Sequence, residues 1–300
     1  MLDGPEETFQ EGRAEIEMKA AHALLEGAID YAGLFPPAGL DLPTAARNYA
    51  AYREGELSWA LGRFVLQASR LPELQKCAGT GLTGWGISLL IEAESTDDVR
   101  MVCDAGAVVD AIECRVSDVE QIAAVRNAIP ERIKIYFEIP AEQDTAGWIA
   151  AVSDAGARAK LRTGGVTADA IPSSSTIASF ISHCAAAGVA FKATAGLHHP
   201  LRSQQSLTYR ADAPQAVMHG YVNIFFAAAL LHMGADKRTA LDVLEDESPD
   251  SWRCDTDAIH WRDESVSADQ MLKARNEFAI GFGSCSFTEP LQELYAMGWL

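Results

Sequence analysis

The chain has 300 residues, 48% of them hydrophobic, and a formal net charge of −18 at pH 7 from 24 basic and 42 acidic side chains. This length fits two small domains or one (β/α)8 barrel, which needs about 250 residues, and this charge argues against nucleic acid and anionic membranes as main partners. No apolar run of roughly 18 residues occurs, and the first residues are acidic where a secretory signal would be basic, so we expect a soluble, cytoplasmic protein.

Strand-like and helix-like patterns alternate along the chain. Residues 1–15 are polar and 16–27 predict a helix closed by glycine, so we expect 1–27 to form an N-terminal extension and 28–300 one catalytic domain. The predicted strands lie at 28–35, 62–68, 84–91, 108–115, 132–139, 157–163, 189–195 and 278–284. The predicted helices that follow them lie at 41–54, 70–78, 95–105, 117–128, 143–155, 173–187, 215–233, 267–276 and 288–297.

This alternation, without an evident linker, predicts a (β/α)8 TIM barrel. A doubly wound open sheet is the alternative, but no GxGxxG turn follows the first strand. Residues 198–217 and 234–266 are expected to be insertions, which either cover the barrel mouth or form a contact between identical subunits. Barrel enzymes build their sites from loops at the carboxyl ends of the strands.

The six cysteines are scattered along the chain without a CxxC pair. Neither a disulfide framework nor a structural zinc site is therefore expected. We expect most of the cysteines to be small buried apolar residues, and we expect no metal ion and no cofactor.

Two similar runs, Lys160-Leu-Arg-Thr-Gly-Gly165 and Phe191-Lys-Ala-Thr-Ala-Gly196, end the sixth and seventh predicted strands. Strand alternation places Lys160 and Lys192 on the inward face, although lysine is rarely buried without a partner. Two enclosed ammonium groups disfavour each other's charge, and burial adds to the effect. We therefore predict a neutral, nucleophilic amine that can form a Schiff base with a carbonyl compound.

Acidic residues accompany the lysines on the neighbouring strands. Asp110 and Glu113 have opposite parity, so only one of them can face inward on a regular strand. Glu138 shares the inward face of its strand with Lys134, and an internal ion pair between these two is the structural alternative to a role in binding.

Five motifs in strand order resemble the signatures of the deoxyribose-phosphate aldolase family of class I aldolases, over residues 105–290. These motifs are Val109-Asp110, Lys134-x-x-x-Glu138, Lys160-x-x-Thr-Gly, Phe191-Lys-Ala-x-x-Gly and Phe282-Gly-Ser-Cys-Ser286. The resemblance implies that Lys160 forms the Schiff base, that Lys192 favours its neutral form, and that Asp110 takes part in a proton relay without a metal ion. It implies an aldolase-like carbon–carbon lyase acting on a small aldehyde or keto substrate.

The sequence departs from that family where phosphate is held. Gly165 and Ala195-Gly-Leu-His-His199 replace a basic residue and a Gly-Gly-x-Arg run, so deoxyribose phosphate itself is not the expected substrate. Backbone amides and hydroxyls of the loops could still bind an anion. The residues expected to contact the substrate in this way are Thr163, Gly164, Thr194, Gly196, Gly283, Ser284 and Ser286.

Three further side chains belong to the predicted mouth. Arg162 is expected either to pair with a substrate carboxylate or to form a salt bridge with Glu138. His198 and His199 could act in acid–base catalysis, bind a metal or stabilise their loop. Because consecutive residues of an extended chain point apart, one ion shared by both histidines is not expected.

Two other functions stay open at this stage. The imine could serve a Schiff-base decarboxylase or dehydratase that acts on a keto acid. Alternatively, the chain could be a non-catalytic barrel that binds a small anion, with Lys160 and Lys192 as plain charge partners.

Overall fold

The computed structural model describes residues 19–104, 109–140 and 145–300. Its strands are Ile29–Tyr31 (β1), Leu61–Gln67 (β2), Ile87–Glu92 (β3), Ala111–Arg115 (β4), Lys134–Glu138 (β5), Arg158–Arg162 (β6), Phe191–Thr194 (β7), Ser203–Ser206 (β8), Gln215–Met218 (β9), Trp252–Cys254 (β10), Ala258–Trp261 (β11), Glu264–Ser267 (β12) and Ala279–Ser284 (β13). Its α-helices are Lys19–Leu25 (α1), Leu42–Glu54 (α2), Leu71–Ala78 (α3), Thr96–Asp104 (α4), Glu120–Ala128 (α5), Thr145–Asp154 (α6), Ser174–Ala187 (α7), Tyr221–His232 (α8), Lys237–Glu245 (α9), Ala268–Glu277 (α10) and Thr288–Ala296 (α11).

Eight strands close a parallel barrel in the order β1-β13-β7-β6-β5-β4-β3-β2. Each of them overlaps one of the eight predicted strands, so the predicted (β/α)8 barrel is confirmed. The outward side chains are apolar because they pack under the helices. Phe191 of β7, for example, contacts Phe180 of α7 and Phe278, with ring centroids 5.6 and 5.2 Å apart.

The two predicted insertions contain small antiparallel sheets. In the first, β8 and β9 form a hairpin after β7. The second contains α9 and the three-stranded sheet β10-β11-β12, whose Trp252 and Trp261 are buried. The predicted helix at 215–233 is therefore wrong at its start, because residues 215–218 pair with β8 and the helix begins only at Tyr221.

Helix α8 is apolar on all sides and buried along almost its whole length. It contacts α7, α9 and α10 as well as β13, so every face of the helix meets protein. At the other end of the chain, α1 packs against α10 and is followed by Gly27, whose φ of +58° is the left-handed conformation expected of a closing glycine.

The expectation for residues 1–15, and the ends of predicted elements at 16–18, 105, 108 and 143–144, lie outside the described residues. None of the helices described above combines the length and the apolar character that crossing a membrane requires.

Candidate active site at the carboxyl end of the barrel

Both sequence-predicted lysines lie inside the barrel, and both are ion-paired. Lys160 is 4% exposed, and its Nζ lies 2.7 Å from Glu113 Oε2 and 2.8 Å from Glu138 Oε2. Lys192 is 2% exposed, and its Nζ lies 2.6 Å from Glu113 Oε1 and in contact with Asp30. Glu113 therefore bridges the two ammonium groups from across the barrel.

The expected neutral amine is wrong for this arrangement. Burial lowers the pKa of Lys192, but the carboxylates of Asp30 and Glu113 outweigh burial and raise that pKa above its ordinary value. Burial likewise opposes the charged form of Glu113, but the two lysines hold its pKa well below the ordinary range. The attraction of three buried carboxylates replaces the repulsion that was expected between the two ammonium groups.

Asp110 does not reach the lysines. Its carboxylate lies at the amino end of β4, where it accepts hydrogen bonds from Arg63 Nε at 2.9 Å and from the backbone N–H of Ile87 at 3.1 Å. Glu113 is the inward acid instead, so the expected relay through Asp110 is corrected. Asp110 directly precedes β4, whereas Glu113 lies in the middle of that strand.

Glu138 joins this buried network rather than pairing with Lys134. Its Oε2 contacts Lys160, and its Oε1 accepts hydrogen bonds from Arg115 Nε at 3.1 Å and Nη2 at 2.9 Å. Arg115 ends β4 and lies directly beside Glu138 in the register of β4 and β5. The expected salt bridge between Arg162 and Glu138 is therefore wrong, since Glu138 already has these two partners.

A second cluster, not predicted from the sequence, brings together Cys285, His198 and Glu289. His198 Nε2 lies 3.7 Å from Cys285 Sγ, and His198 Nδ1 lies 2.7 Å from Glu289 Oε2. Cys285 directly follows β13, His198 lies on the loop after β7, and Glu289 is in the first turn of α11. Because β7 and β13 are neighbours in the barrel, their loops meet at its carboxyl end.

The turn that carries Cys285 is held by its own serines. Ser284 Oγ accepts a hydrogen bond from the N–H of Ser286 at 3.3 Å, and Ser286 Oγ accepts one from the N–H of Glu289 at 3.2 Å. Ser284 and Ser286 were expected to offer hydroxyls to an anion. Both accept backbone hydrogen bonds that connect β13 with α11, which fixes the thiol between a strand and the positive end of a helix. Their contact with an anion stays a prediction.

The loop that carries His198 is held from two sides. On one side, the adjacent His199 contacts Glu293 through Nδ1 at 2.6 Å, one helical turn beyond Glu289. On the other side, buried Thr163 donates its hydroxyl to the carbonyl oxygens of Thr194 and Ala195, at 3.1 and 2.7 Å. The contact between His199 and Glu293 fits the loop-stabilising role, which stays one of the expected alternatives for His199.

Ala195 and Gly196 both have left-handed backbone conformations, with φ of 65° and 76°. A Cβ added at Gly164 would lie only 3.1 Å from Gly196 Cα, so these glycines allow the loops after β6 and β7 to touch. In the same way, a Cβ at Gly283 would lie 3.1 Å from Thr194 Oγ1. These glycines therefore have a packing role, and the binding of an anion by their backbone amides stays a prediction.

The electrostatics of the cluster favour an imidazolium ion. Burial lowers the pKa of His198, but its hydrogen bonds to Cys285 and Glu289 outweigh burial and raise the pKa to about 10. His198 is therefore protonated at neutral pH, with one N–H directed at the thiol sulfur and the other at the carboxylate. Such a partner stabilises a cysteine thiolate, which is the nucleophilic form.

The other cysteines have no such partner in the part of the chain that the structure describes. All six are free thiols, and Cys77 and Cys103 are exposed. Burial raises the pKa of Cys114 and Cys254 to about 12 each and the pKa of Cys184 well above its ordinary value. The expectation of small buried cysteines fits Cys114, Cys184 and Cys285. For Cys285 it misses the contact with His198. A cysteine at the junction of a strand and a helix, in Gly-Ser-Cys-Ser, was the signal that could have identified it.

Tyr209, on the connection between β8 and β9, covers the cluster from outside. Its hydroxyl lies 3.0 Å from Glu289 Oε2 and 3.7 Å from Cys285 Sγ, while most of its side chain is exposed. The inserted hairpin therefore reaches the thiol, and Cys285 itself is 5% exposed.

Comparisons with known proteins give little beyond the fold. No protein family and no curated protein matches the sequence. Among solved structures, a mutant of FabK from Thermotoga maritima is 14% identical with a TM-score of 0.38, and the match covers 61% of this chain and 59% of FabK. Nitroalkane oxidase from Streptomyces ansochromogenes is 13% identical with a TM-score of 0.39, covering 92% of this chain and 99% of that one. At these TM-scores the likeness carries no argument about activity.

The resemblance to the deoxyribose-phosphate aldolase family is overturned. No family model and no curated protein matches the sequence, and both lysines are held in ion pairs. The Schiff-base lyase and the Schiff-base decarboxylase or dehydratase therefore lose their reactive amine. The anion-binding barrel loses its charge partners, because carboxylates of the protein already neutralise Lys160 and Lys192.

Proposed function

We propose that this protein is a cysteine-dependent acyl-transfer enzyme, with water as the acceptor in its simplest cycle. The observation that carries the proposal is the contact of Cys285 with His198, which in turn contacts Glu289. A nucleophile, a proton carrier and a group that orients the carrier are the parts that covalent acyl transfer requires.

In the first half of the cycle, the Cys285 thiolate attacks the carbonyl carbon of an acyl compound, and the carbonyl electrons move to oxygen. When the tetrahedral intermediate collapses, the bond to the leaving group breaks, and the leaving group takes the proton that His198 holds. The products are a thioester on Cys285, the protonated leaving group and a neutral imidazole.

In the second half, water attacks the thioester carbon while His198 takes one water proton. Collapse breaks the carbon–sulfur bond, releases the carboxylic acid and restores the thiolate beside the imidazolium. Glu289 stays ionised throughout and keeps the imidazole in one orientation. Helix α11 begins three residues after Cys285, so its positive end favours the negative charges that develop there.

The proposal is tested first by thiol reactivity. With iodoacetamide at pH 7 and peptide mapping by mass spectrometry, we expect Cys285 to be alkylated roughly tenfold faster than an ordinary thiol. Cys77 and Cys103 serve as internal controls, because both are exposed. Equal or slower alkylation of Cys285 would count against an activated thiol.

The second test is acylation. Incubation with a panel of phenyl esters and thioesters should give an acyl adduct on Cys285 in the intact mass, and Cys285→Ser should lose the fast adduct. His198→Gln should slow turnover by about 10²–10⁴-fold, the usual contribution of a general acid–base. The proposal fails if no ester or thioester acylates Cys285, or if His198→Gln turns over as fast as the parent protein.

A further inference from the structure

We propose that Arg162 binds a carboxylate at the far end of the acyl group, so that the substrate is a monoester or monothioester of a short dicarboxylic acid. The inference rests on the proposed acyl transfer at Cys285 and specifies its substrate class.

Arg162 stands outside the buried charge network that holds Lys160, Lys192 and Arg115. Lys160, Lys192 and Arg115 are each paired with at least one carboxylate. Arg162 ends β6 on the same strand face as Lys160, and its side chain is exposed at the carboxyl end. Its hydrogen bond is from Nε to the carbonyl oxygen of Gly164 at 3.1 Å, and within the described residues it takes part in no ion pair.

Arg162 places an exposed, unpaired guanidinium at the carboxyl end of the barrel. Here the neighbouring acid, Glu138, is already held by Arg115 and Lys160. The guanidinium is therefore left for an anion that comes from outside.

Arg162 and Cys285 lie at the same end of the barrel, at the ends of strands β6 and β13, which β7 separates. In the barrel register, Arg162 lies beside Thr194, and Thr194 lies beside Gly283. Two strand spacings separate Arg162 from Gly283, or about 10 Å between backbones, and Cys285 follows two residues later. A short acyl chain matches a separation of this size.

The free donor groups of Arg162 determine which kind of anion fits. Because Nε is used by Gly164, the two terminal NH2 groups remain as a pair of parallel donors. A carboxylate presents two coplanar oxygens that match this fork. Arg162 thereby fixes one end of the substrate while Cys285 attacks the carbonyl at the other end.

The test uses two probes, the S-phenyl monothioester of glutaric acid and the methyl ester of that compound. The first carries a free carboxylate, and the second is uncharged. The rate of Cys285 acylation by each probe is followed by intact mass in the full-length protein. We expect the anionic probe to react about tenfold faster, and we expect this ratio to fall with added salt because the pair is exposed.

Variants of Arg162 show whether this side chain causes the difference between the two rates. Arg162→Gln should bring the ratio of the two rates close to one, whereas Arg162→Lys, which keeps the charge but loses the fork, should keep part of it. The matched control is Arg238→Gln on α9, where an exposed arginine pairs with Asp242; it should leave the ratio of the parent protein unchanged.

The outcomes separate the two proposals. Acylation of Cys285 with equal rates for both probes, or a preference that survives in Arg162→Gln, overturns the role of Arg162 but leaves acyl transfer intact. Failure of both probes to acylate Cys285 overturns the proposed function, and the substrate class with it. Loss of iodoacetamide reactivity in Arg162→Gln would show a structural effect of the substitution and would also count against the inference.

Discussion

Replacing Glu289 with glutamine should lower the pKa of His198 by one to two pH units. Glu289 Oε2 lies 2.7 Å from His198 Nδ1, and the pKa of His198 in the folded protein is about 10. A hydrogen bond to a charged group contributes about 1.5–3 kcal/mol, and each pH unit of pKa corresponds to about 1.36 kcal/mol. In Glu289→Gln the imidazolium keeps a hydrogen bond but loses the opposite charge, so His198 should titrate at about 8–9.

The assay is an NMR titration of the imidazole resonances, in which His198→Gln identifies the His198 signal among the seven histidines. The matched control is Glu293→Gln, which removes the same charge one turn further along α11, where it contacts His199. The reasoning is wrong if His198 of the parent protein titrates near 6.5, or if both glutamine variants change its pKa equally.

The same pKa predicts how stability depends on pH. Because the pKa of His198 is raised from 6.5 to about 10 on folding, its contribution is fully present below pH 6.5 and is lost as pH rises through 10. This change corresponds to roughly 5 kcal/mol in the free energy of unfolding at 1.36 kcal/mol for each pH unit. Urea unfolding between pH 6.5 and 10 should show a smaller loss in Glu289→Gln, and an equal loss in both proteins would contradict the assignment to His198.

Three further predictions concern the barrel and its loops. Glu113→Gln removes the carboxylate shared by two buried lysines and should lower the free energy of unfolding, measured in urea, by about 3–5 kcal/mol. A decrease below about 1 kcal/mol would mean that water or the neighbouring acids replace the lost carboxylate. Gly196→Ala puts a Cβ against Gly164 at a position with left-handed backbone conformation. It should lower the free energy of unfolding by about 1–2 kcal/mol and slow alkylation of Cys285. An unchanged melting temperature would refute the close packing. Burial lowers the pKa of His219 to about 4, so stability should fall as pH drops from 6.5 through 4, and His219→Gln should abolish that part of the acid dependence in a thermal melt.

The fold was largely predictable because its signals are local. The barrel strands carry short apolar runs or alternating apolar side chains, and most of the helices have an apolar face, so the alternation of elements is visible without any long-range contact. The start of α8 was misassigned for the opposite reason. Residues 215–218 form a strand only because residues 203–206 pair with them, and no local pattern reports that partner.

The sequence by itself determined the eight-stranded barrel and the inward direction of Lys160 and Lys192, because side-chain alternation along a strand depends on the backbone alone. The tertiary structure decided what these lysines meet, since the strand register and barrel closure bring Glu113 between them and leave Asp110 at the far end. It also decided that Cys285 meets a histidine 87 positions earlier in the chain. Charge and reactivity depend on distances between neighbouring strands, and those distances exist only once the barrel has closed.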